Sequence, residues 1–343
     1  MNISKIQREI WRVLLQAVSF YPFLFTERFC GRVKLKWNML QYKEGKNLPR
    51  QEAFSEVPGV AALDLSLTSG FGEAVHPNVI YIPGGFRGKW RYLMTITPFP
   101  KGIVYFENPE FLVSHDGINW MIPTGGKSPL VNPPTDWIGY NSDPVLCHTD
   151  DILYLLYREV RDQANKVVTS IFIRSTKDGI AWNPPINVCT KKTDRDNAAC
   201  LMSPSIQLIN GMYHIWYVEK YKNQLIIRHT KCSDLSACRY EGEIVELAEM
   251  PDNLAVWHIE VVPDNNRLIM ALCARNKNDI AVHSILFAES YDYGLKWRIF
   301  GEQIDPVTAN GEKSLYKASL VQDENGWKLY YSCFLTFALM PRN

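Results

Sequence analysis

Five polar segments contain the side chains in this sequence that could do chemistry. They recur about every sixty residues, and each one starts an apolar, strand-like stretch. Histidine and carboxylate groups are common proton donors and acceptors in enzymatic hydrolysis, and neighbouring aromatic rings can stack on the apolar faces of sugars. The segments are Val75-His76-Pro77-Asn78, Ser142-Asp143-Pro144, Met202-Ser203-Pro204-Ser205, Trp257-His258-Ile259-Glu260 and Tyr316-Lys317-Ala318-Ser319.

These segments belong to a structural repeat. About ten residues after each segment comes a second strand rich in Leu, Tyr or other apolar residues, and a third strand follows in the first four repeats. Units of this kind at regular spacing predict a β-propeller, in which the innermost strand of every blade lines a central channel. We therefore expect the five polar segments to meet in that channel. The second strands are Trp90 to Met94, Leu153 to Tyr157, Met212 to Tyr217, Arg267 to Leu272 and Trp327 to Tyr331.

A turn motif with Asp, Gly and Trp closes three of the repeats. It occupies 114–120, 175–182 and 290–297, and the second copy has one extra residue before its Asp. The Asp is expected to accept hydrogen bonds from its own turn, while the Gly takes a positive φ and the Trp ring covers the hairpin. The motif is therefore predicted to be structural. A degenerate copy lies at 233–240.

The sequence predicts an all-β fold, a five-bladed β-propeller over residues 71–343, preceded by an N-terminal helical segment. Because the last repeat has too few residues for four strands, ring closure is expected to use outer strands at 32–40 and 60–67 within the linker segment 31–70, with a truncated chain as the alternative. Residues 1–30 are typical of an amphipathic helix, in which the apolar run 13–25 is too short to span a bilayer and no signal-peptide cleavage site follows. Three partners fit its apolar face: a membrane surface, an assembly, or the propeller itself.

Composition excludes one class of partner. Lys and Arg total 37 against 36 Asp and Glu, a formal net charge of +1, so no nucleic-acid surface is predicted. The eight cysteines show no zinc-ligand spacing and are expected to be free thiols, which suggests a reducing compartment or peripheral association. Cys232 and Cys238 are close in sequence, and a disulfide between them is the minor alternative.

At the polar segments and the Asp turns, the sequence resembles the five-bladed propeller glycosidases, the superfamily of glycoside hydrolase family 43, over roughly residues 70 to 335. The turns are also similar to the Asp boxes of sialidases. This resemblance implies that the first three blades bring a base, a second Asp that tunes and orients, and a general acid into the channel. Asp143 matches the second Asp. His76 and Ser203 stand where the family has an Asp and a Glu.

The candidate site follows from these positions. Asp143, Glu260 and His76 are expected to be catalytic, because some agarose-oligosaccharide hydrolases of the superfamily use a His acid and an inverting pair needs carboxyl groups about 6.5 to 9.5 Å apart. No metal ligand set or cofactor is predicted, and a channel cation such as calcium is left open. Substrate binding is assigned to His258, Glu107, Asn108, Arg158, Ser203, Lys317, Trp257 and Tyr140.

Each of these residues also has a structural interpretation. Asp143 could cap a turn, and Glu260, which lies between two apolar neighbours, could be ion-paired. The histidines could be satisfied core residues, and Arg158 could pair with a surface carboxylate.

Three functions compete. The first is a glycoside hydrolase that acts on a poly- or oligosaccharide at the channel mouth. The second is a non-catalytic glycan-binding or receptor-binding propeller, such as a virion or surface component, which the two missing carboxylates favour. The third is a protein-interaction propeller, which the richness of the segments in His, Asp and Glu argues against. Carbohydrate is therefore the expected partner.

Overall fold

The computed structural model describes residues 62–65, 67, 73–133, 139–163, 166–194, 199–307 and 312–335. The described residues are almost entirely strand and loop, with three short 3-10 turns. None of the helices in these ranges is long and apolar enough to cross a membrane. The expected helix at 1–30 and the strand at 32–40 lie outside the described residues.

The first two sheets follow the predicted repeat. In the first, the order is β1-β2-β3, and in the second it is β4-β5-β6-β7, with every neighbouring pair antiparallel. The strands are β1 (Ala74–Phe86), β2 (Trp90–Pro98), β3 (Glu110–Ser114), β4 (Gly139–Thr149), β5 (Ile152–Gln163), β6 (Lys166–Thr176) and β7 (Ile186–Asp194).

The remaining chain forms three more sheets. The third sheet has the order β8-β9-β10-β11, and the fourth has the order β13-β14-β15-β16-β12, in which β12 runs parallel to β16. The last sheet contains only β17 and β18. The strands are β8 (Met202–Ile209), β9 (Met212–Tyr221), β10 (Gln224–Cys232), β11 (Glu243–Ile244), β12 (Glu246–Ala248), β13 (Leu254–Asp264), β14 (Arg267–Asn276), β15 (His283–Ser290), β16 (Lys296–Ile304), β17 (Glu312–Asp323) and β18 (Gly326–Leu335).

Five apolar clusters join the sheets. Each combines buried residues from two adjacent sheets, and one of them, containing Val79, Tyr92 and Val321, joins the last sheet back to the first. The arrangement is therefore all-β and propeller-like, as predicted. Four sheets have three or more strands and count as blades, whereas the last is a two-stranded hairpin, so the expected number of five blades is not confirmed.

The expected ring-closing strand at 60–67 is wrong at its described positions. Residues 62–65 and 67 are not in a strand, although Leu65 and Leu67 are buried in the cluster between the first and last sheets. Their apolar side chains gave the pattern of a strand, but burial does not require a backbone ladder. The part of this prediction that falls on 31–61 lies outside the described residues.

Side chains on the innermost strands link four of the five pairs of neighbouring sheets. In each case the side chain accepts a hydrogen bond from a backbone N–H on the innermost strand of the neighbouring sheet. The accepting side chains lie two residues after His76, Ser203, His258 and Lys317. Such bonds satisfy amides that no strand partner reaches. The pairs are Leu146 N to Asn78 Oδ1 at 2.7 Å, Val261 N to Ser205 Oγ at 2.8 Å, Leu320 N to Glu260 Oε2 at 2.6 Å and Val79 N to Ser319 Oγ at 2.8 Å.

The Asp turns have the expected local geometry. In the first, Asp116 Oδ1 accepts from the amides of Ile118 and Asn119 at 2.8 Å, Gly117 has φ +77°, and the Trp120 indole donates to the Gly117 carbonyl at 3.2 Å. In the second, Thr176 makes the bonds that Ser114 makes in the first, which removes the apparent extra residue. Their likeness to sialidase Asp boxes stays a prediction.

One cysteine prediction is wrong. Cys232 and Cys238, which flank the 3-10 turn Leu235–Ala237, form a disulfide with Cα atoms 5.4 Å apart. The short turn between them brings their Cβ atoms together, which the sequence spacing alone allowed but did not require. Among the described residues the other five cysteines are free thiols.

Candidate functional site

Breaks in the register of the innermost strands orient the site residues. The register of β1, β4 and β8 with their partners breaks around His76, Asp143 and Ser203. Each of these residues has a positive φ, of 60°, 49° and 49°, and each precedes a proline. A left-handed conformation is costly for a residue with a Cβ, and more so before proline. The same strained turn is therefore built three times, at the inner end of three sheets.

Asp143 is the centre of the site. Its carboxylate is fully buried, and Oδ2 lies 3.1 Å from Arg158 Nε. Oδ1 lies 3.5 Å from His76 Nε2 and 3.5 Å from His258 Nδ1. Burial alone would raise the pKa of Asp143, but Arg158 and the two imidazoles hold it well below its usual range. The predicted convergence of these residues from distant repeats is what the structure contains.

Several buried atoms around Asp143 have no hydrogen-bond partner among the described residues, and three of them face one another. These three are His76 Nε2, Asp143 Oδ1 and His258 Nδ1. Buried polar atoms are normally satisfied, so a cluster of unsatisfied ones points to a missing ligand. All three residues offer lone pairs within 4.8 Å of one another, and two imidazoles with one carboxylate suit a divalent transition metal. The donor set therefore fits a cation.

Glu107 orients His76. Its Oε2 lies 3.3 Å from His76 Nδ1, which also lies 3.2 Å from Thr97 Oγ1. A proton on Nδ1 leaves Nε2 as a lone-pair donor, which is the usual arrangement of a metal-binding histidine with a carboxylate behind it. Burial raises the pKa of Glu107, while His76 opposes the shift. Asn108 does not reach this cluster through the contacts described, because its Oδ1 accepts from Asn141 Nδ2 at 2.8 Å.

Aromatic side chains form one wall of the site. The Tyr316 ring lies 5.4 Å from His76 and 4.7 Å from His258 between ring centroids. Trp257 Nε1 donates to the Tyr316 hydroxyl at 3.2 Å, which leaves the hydroxyl proton free to donate elsewhere. Burial raises the pKa of Tyr316, and of Tyr140 to about 12. Trp257, Tyr316 and Tyr140 are half-buried, whereas the charged side chains around Asp143 are buried.

Two predicted site residues are occupied by bonds between sheets. Glu260 accepts from Asn78 Nδ2, from Ser319 Oγ at 2.9 Å and from the Leu320 amide. Ser203 Oγ donates to the Ile259 carbonyl at 2.9 Å and accepts from its amide at 3.1 Å. Sequence reasoning missed Asn78, Ser205 and Ser319 as structural links, although their constant offset of two residues from the channel residue was visible in the repeat.

Lys317 is buried without a visible partner. Its side chain is 1% exposed, and Nζ makes no hydrogen bond to the described residues. Burial lowers the pKa of Lys317, and the carboxylates of Asp143 and Glu260 oppose that shift. An amine in this state is a donor in need of an acceptor.

Comparison with known proteins gives one sequence relative and several structures. No protein-family model matches the chain. The chain is 23% identical over 263 residues to the A type blood N-acetyl-alpha-D-galactosamine deacetylase of Flavonifractor plautii, which covers 75% of this chain but only 28% of that protein. The chain thus spans under a third of the length of this relative.

Solved structures show the shared fold. The N-acetylgalactosamine deacetylase from F. plautii, in complex with blood group B trisaccharide, superposes with a TM-score of 0.67 at 19% identity, over 81% of this chain and 84% of that one. A Bombyx mori GH32 β-fructofuranosidase gives 0.55 at 11% identity, over 78% and 56%. A GH43_1 enzyme from Xanthomonas citri gives 0.50 at 10%, over 76% and 82%. At these identities the comparison establishes the propeller-like fold.

Proposed function

We propose that this chain is a carbohydrate-directed hydrolase that removes the acetyl group from an N-acetylated amino sugar, with a divalent cation held by His76, Asp143 and His258. The observation that carries the proposal is that His76, Asp143 and His258 bring three possible ligand atoms, each without a hydrogen-bond partner, within 4.8 Å of one another. The sequence relative with N-acetylgalactosamine deacetylase activity in its name supports the choice of reaction. The sequence predicted no metal ligand set and left a channel cation open, and the proposal takes up that second possibility with a named set of ligands.

The metal-ligand residues have distinct tasks. A divalent cation at these residues would supply Lewis acidity toward the acetyl carbonyl and lower the pKa of bound water. Glu107 holds the proton of His76 on Nδ1 and so keeps Nε2 available. Arg158 compensates the buried charge of Asp143 and fixes its orientation.

The remaining polar groups act on the substrate. The Tyr316 hydroxyl accepts from Trp257, and its own proton is available for an oxygen of the substrate. Lys317 offers a second buried donor on the same strand. Hydrolysis of the amide adds water across the C–N bond, so acetate leaves and the sugar nitrogen gains a proton. Half-buried Trp257 and Tyr140 supply aromatic faces at which the sugar ring can stack.

Glycoside hydrolysis is the second candidate. It is favoured by the fold shared with the GH32 and GH43_1 enzymes and by Glu260, whose pKa is raised by burial to about 7. A glycosidase needs one carboxyl group that can donate a proton beside a second that stays ionised. Asp143 would be the ionised group. The three hydrogen bonds that Glu260 accepts from the protein argue against its use as the acid.

The test separates the two reactions on one substrate. We expect the full chain, supplied with manganese, zinc or nickel, to release acetate from an aryl N-acetyl-α-galactosaminide without releasing the aryl alcohol. Asp143→Asn should reduce acetate release by at least about a hundredfold, since it removes a ligand and the partner of Arg158. Asp194→Asn, at an exposed carboxylate of the same sheet, is the matched control.

Other outcomes would overturn the proposal. Release of the aryl alcohol without acetate, across a panel of N-acetylated sugars, would favour the glycosidase. Sugar binding without either product, unaffected by added metal, would favour a glycan-binding propeller.

A further inference from the structure

A cavity of about 330 Å³ lies on the third sheet, away from the candidate site. It is lined by residues of β9 and β10, by the segment 241–243 and by the 292–295 turn of the fourth sheet. Two of the lining residues, His214 and His229, are buried and stack against Trp216. Nothing in the proposed deacetylation uses these histidines.

The hydrogen bonds of the two histidines fix where their protons lie. One ring nitrogen of His214 donates to the Tyr293 carbonyl, and the other, Nδ1, lies 3.0 Å from His229 Nε2. Burial lowers the pKa of His214, and of His229 to about 4, so both rings are neutral at pH 7. His214 then accepts at Nδ1, and His229 donates from Nε2. The Nδ1 atom of His229 is therefore a bare lone pair.

This lone pair has no donor among the described residues. His229 is 4% exposed, and its Nδ1 makes no hydrogen bond. Glu243 Oε1, 3.9 Å away, is itself an acceptor. Glu241 and Asp292 add two more carboxylates to the lining, and Lys231 adds one positive charge. The cavity thus presents hydrogen-bond acceptors to a bound ligand.

The distance between His229 Nδ1 and Glu243 Oε1 can be compared with the distances that two kinds of ligand require. An ammonium group that donates to both acceptors requires the two acceptor atoms to be about 4 to 5 Å apart, because each N···acceptor distance is roughly 2.9 Å. A tetrahedral cation with ligands at about 2.1 Å would need about 3.4 Å. In addition, none of the described carboxylates or thiols completes a group of three donors with His229. The observed 3.9 Å lies between these two values, and Glu243 is exposed and can adjust, so the lack of a third described ligand is what favours the ammonium.

We propose that this cavity binds a sugar through a free ammonium group, held between His229 Nδ1 and Glu243, with Tyr293 as a stacking surface. Tyr293 is 57% exposed at the edge of the cavity, where an aromatic ring can cover the apolar face of a pyranose. The choice of a 2-amino sugar rests on the proposed deacetylation, whose product carries this group. The cavity would then retain the deacetylated product or glycan next to the enzyme.

Calorimetric titration of the full chain tests the site. At pH 7 we expect D-galactosamine to bind and N-acetyl-D-galactosamine, which lacks the ammonium, to bind at least about tenfold more weakly at this site. The titrations are done with the Asp143→Asn variant, so that sugar binding at the candidate active site contributes less to the measured heat. Glu243→Gln should weaken D-galactosamine binding about tenfold, as expected for one charge-assisted hydrogen bond.

Controls separate this site from others. Glu246→Gln removes the same charge from an exposed residue outside the lining and should leave binding unchanged. His229→Phe, checked for folding by thermal unfolding, should weaken binding as Glu243→Gln does. Equal binding of the two sugars, or binding that ignores both variants, would overturn the inference. Because binding is read without turnover, a failure here is distinct from absence of acetate release.

Discussion

At the scale of residues, backbone strain and unsatisfied polar atoms occur in the same place. His76 and Asp143 have positive φ before proline, and both contribute an unpartnered atom to the cluster around Asp143. Strain of this kind persists only where surrounding structure enforces it, and it is concentrated at functional sites. The sequence showed which residue types would be present. The left-handed turns that point them at one another had no signal, because His and Asp before proline normally adopt extended conformations.

Glu260 should make stability depend on pH. Its pKa is raised from 4.5 to about 7, first by burial, so the folded protein keeps a proton that the unfolded chain loses. Stability from this group is present below pH 4.5 and is lost as pH rises through about 7, by up to about 3 kcal/mol. Urea unfolding between pH 4.5 and 8 should show this decline in the wild type.

The same measurement on two variants isolates the group. Glu260→Gln should flatten the decline, whereas Glu302→Gln, at an exposed position of β16, should retain it. Parallel curves for the wild type and Glu260→Gln would mean that this carboxyl group does not titrate in the window.

At the scale of elements, the Asp turns are held by residues close in sequence, whereas the contacts between sheets are made by residues far apart in the chain. The first Asp turn satisfies its own Asp, and so the sequence motif was enough to predict its bonds. The joints between sheets depend on side chains whose partners lie 54 to 240 residues away. These long-range bonds explain why Glu260 and Ser203, predicted for the site, take part in holding β8, β13 and β17 together.

Two turn glycines should differ in how well they tolerate a methyl group. Gly294 and Gly179 both have positive φ, of 82° and 74°, so alanine costs similar backbone strain at either. A Cβ at Gly294 would overlap the buried Trp216 ring, whereas at Gly179 the nearest atoms lie at 3.4 Å. We expect Gly294→Ala to be more destabilising than Gly179→Ala by about 1 to 3 kcal/mol, measured by urea unfolding. Equal losses would show that the Trp216 ring moves aside freely.

At the scale of the whole molecule, the candidate cation would join three sheets. His76 is on β1, Asp143 on β4 and His258 on β13, so a ligand held by all three favours the assembled ring over the unfolded chain. The proposed function and the stability of the fold are therefore linked at one point.

Metal addition should raise the melting temperature. At a hundredfold excess over the dissociation constant, a cation that binds only the folded state adds about 2.7 kcal/mol, which corresponds to several degrees in a protein of this size. Thermal unfolding with and without manganese, zinc or nickel, reversed by a chelator, measures the shift. Asp143→Asn should abolish it and Asp194→Asn should preserve it. A shift of equal size in Asp143→Asn would place the cation elsewhere.

The sequence by itself predicted the inner strands of the repeats and the hydrogen bonds of the Asp turns, because periodicity and turn chemistry are local properties. It did not determine the partners of the polar residues at the channel. Only the tertiary structure put His76, Asp143 and His258 within reach of one another and tied Glu260 to Asn78 and Ser319. Whether a buried polar group is satisfied or left open depends on neighbours that are distant in the chain, and this distinction separates the candidate site from the links around it.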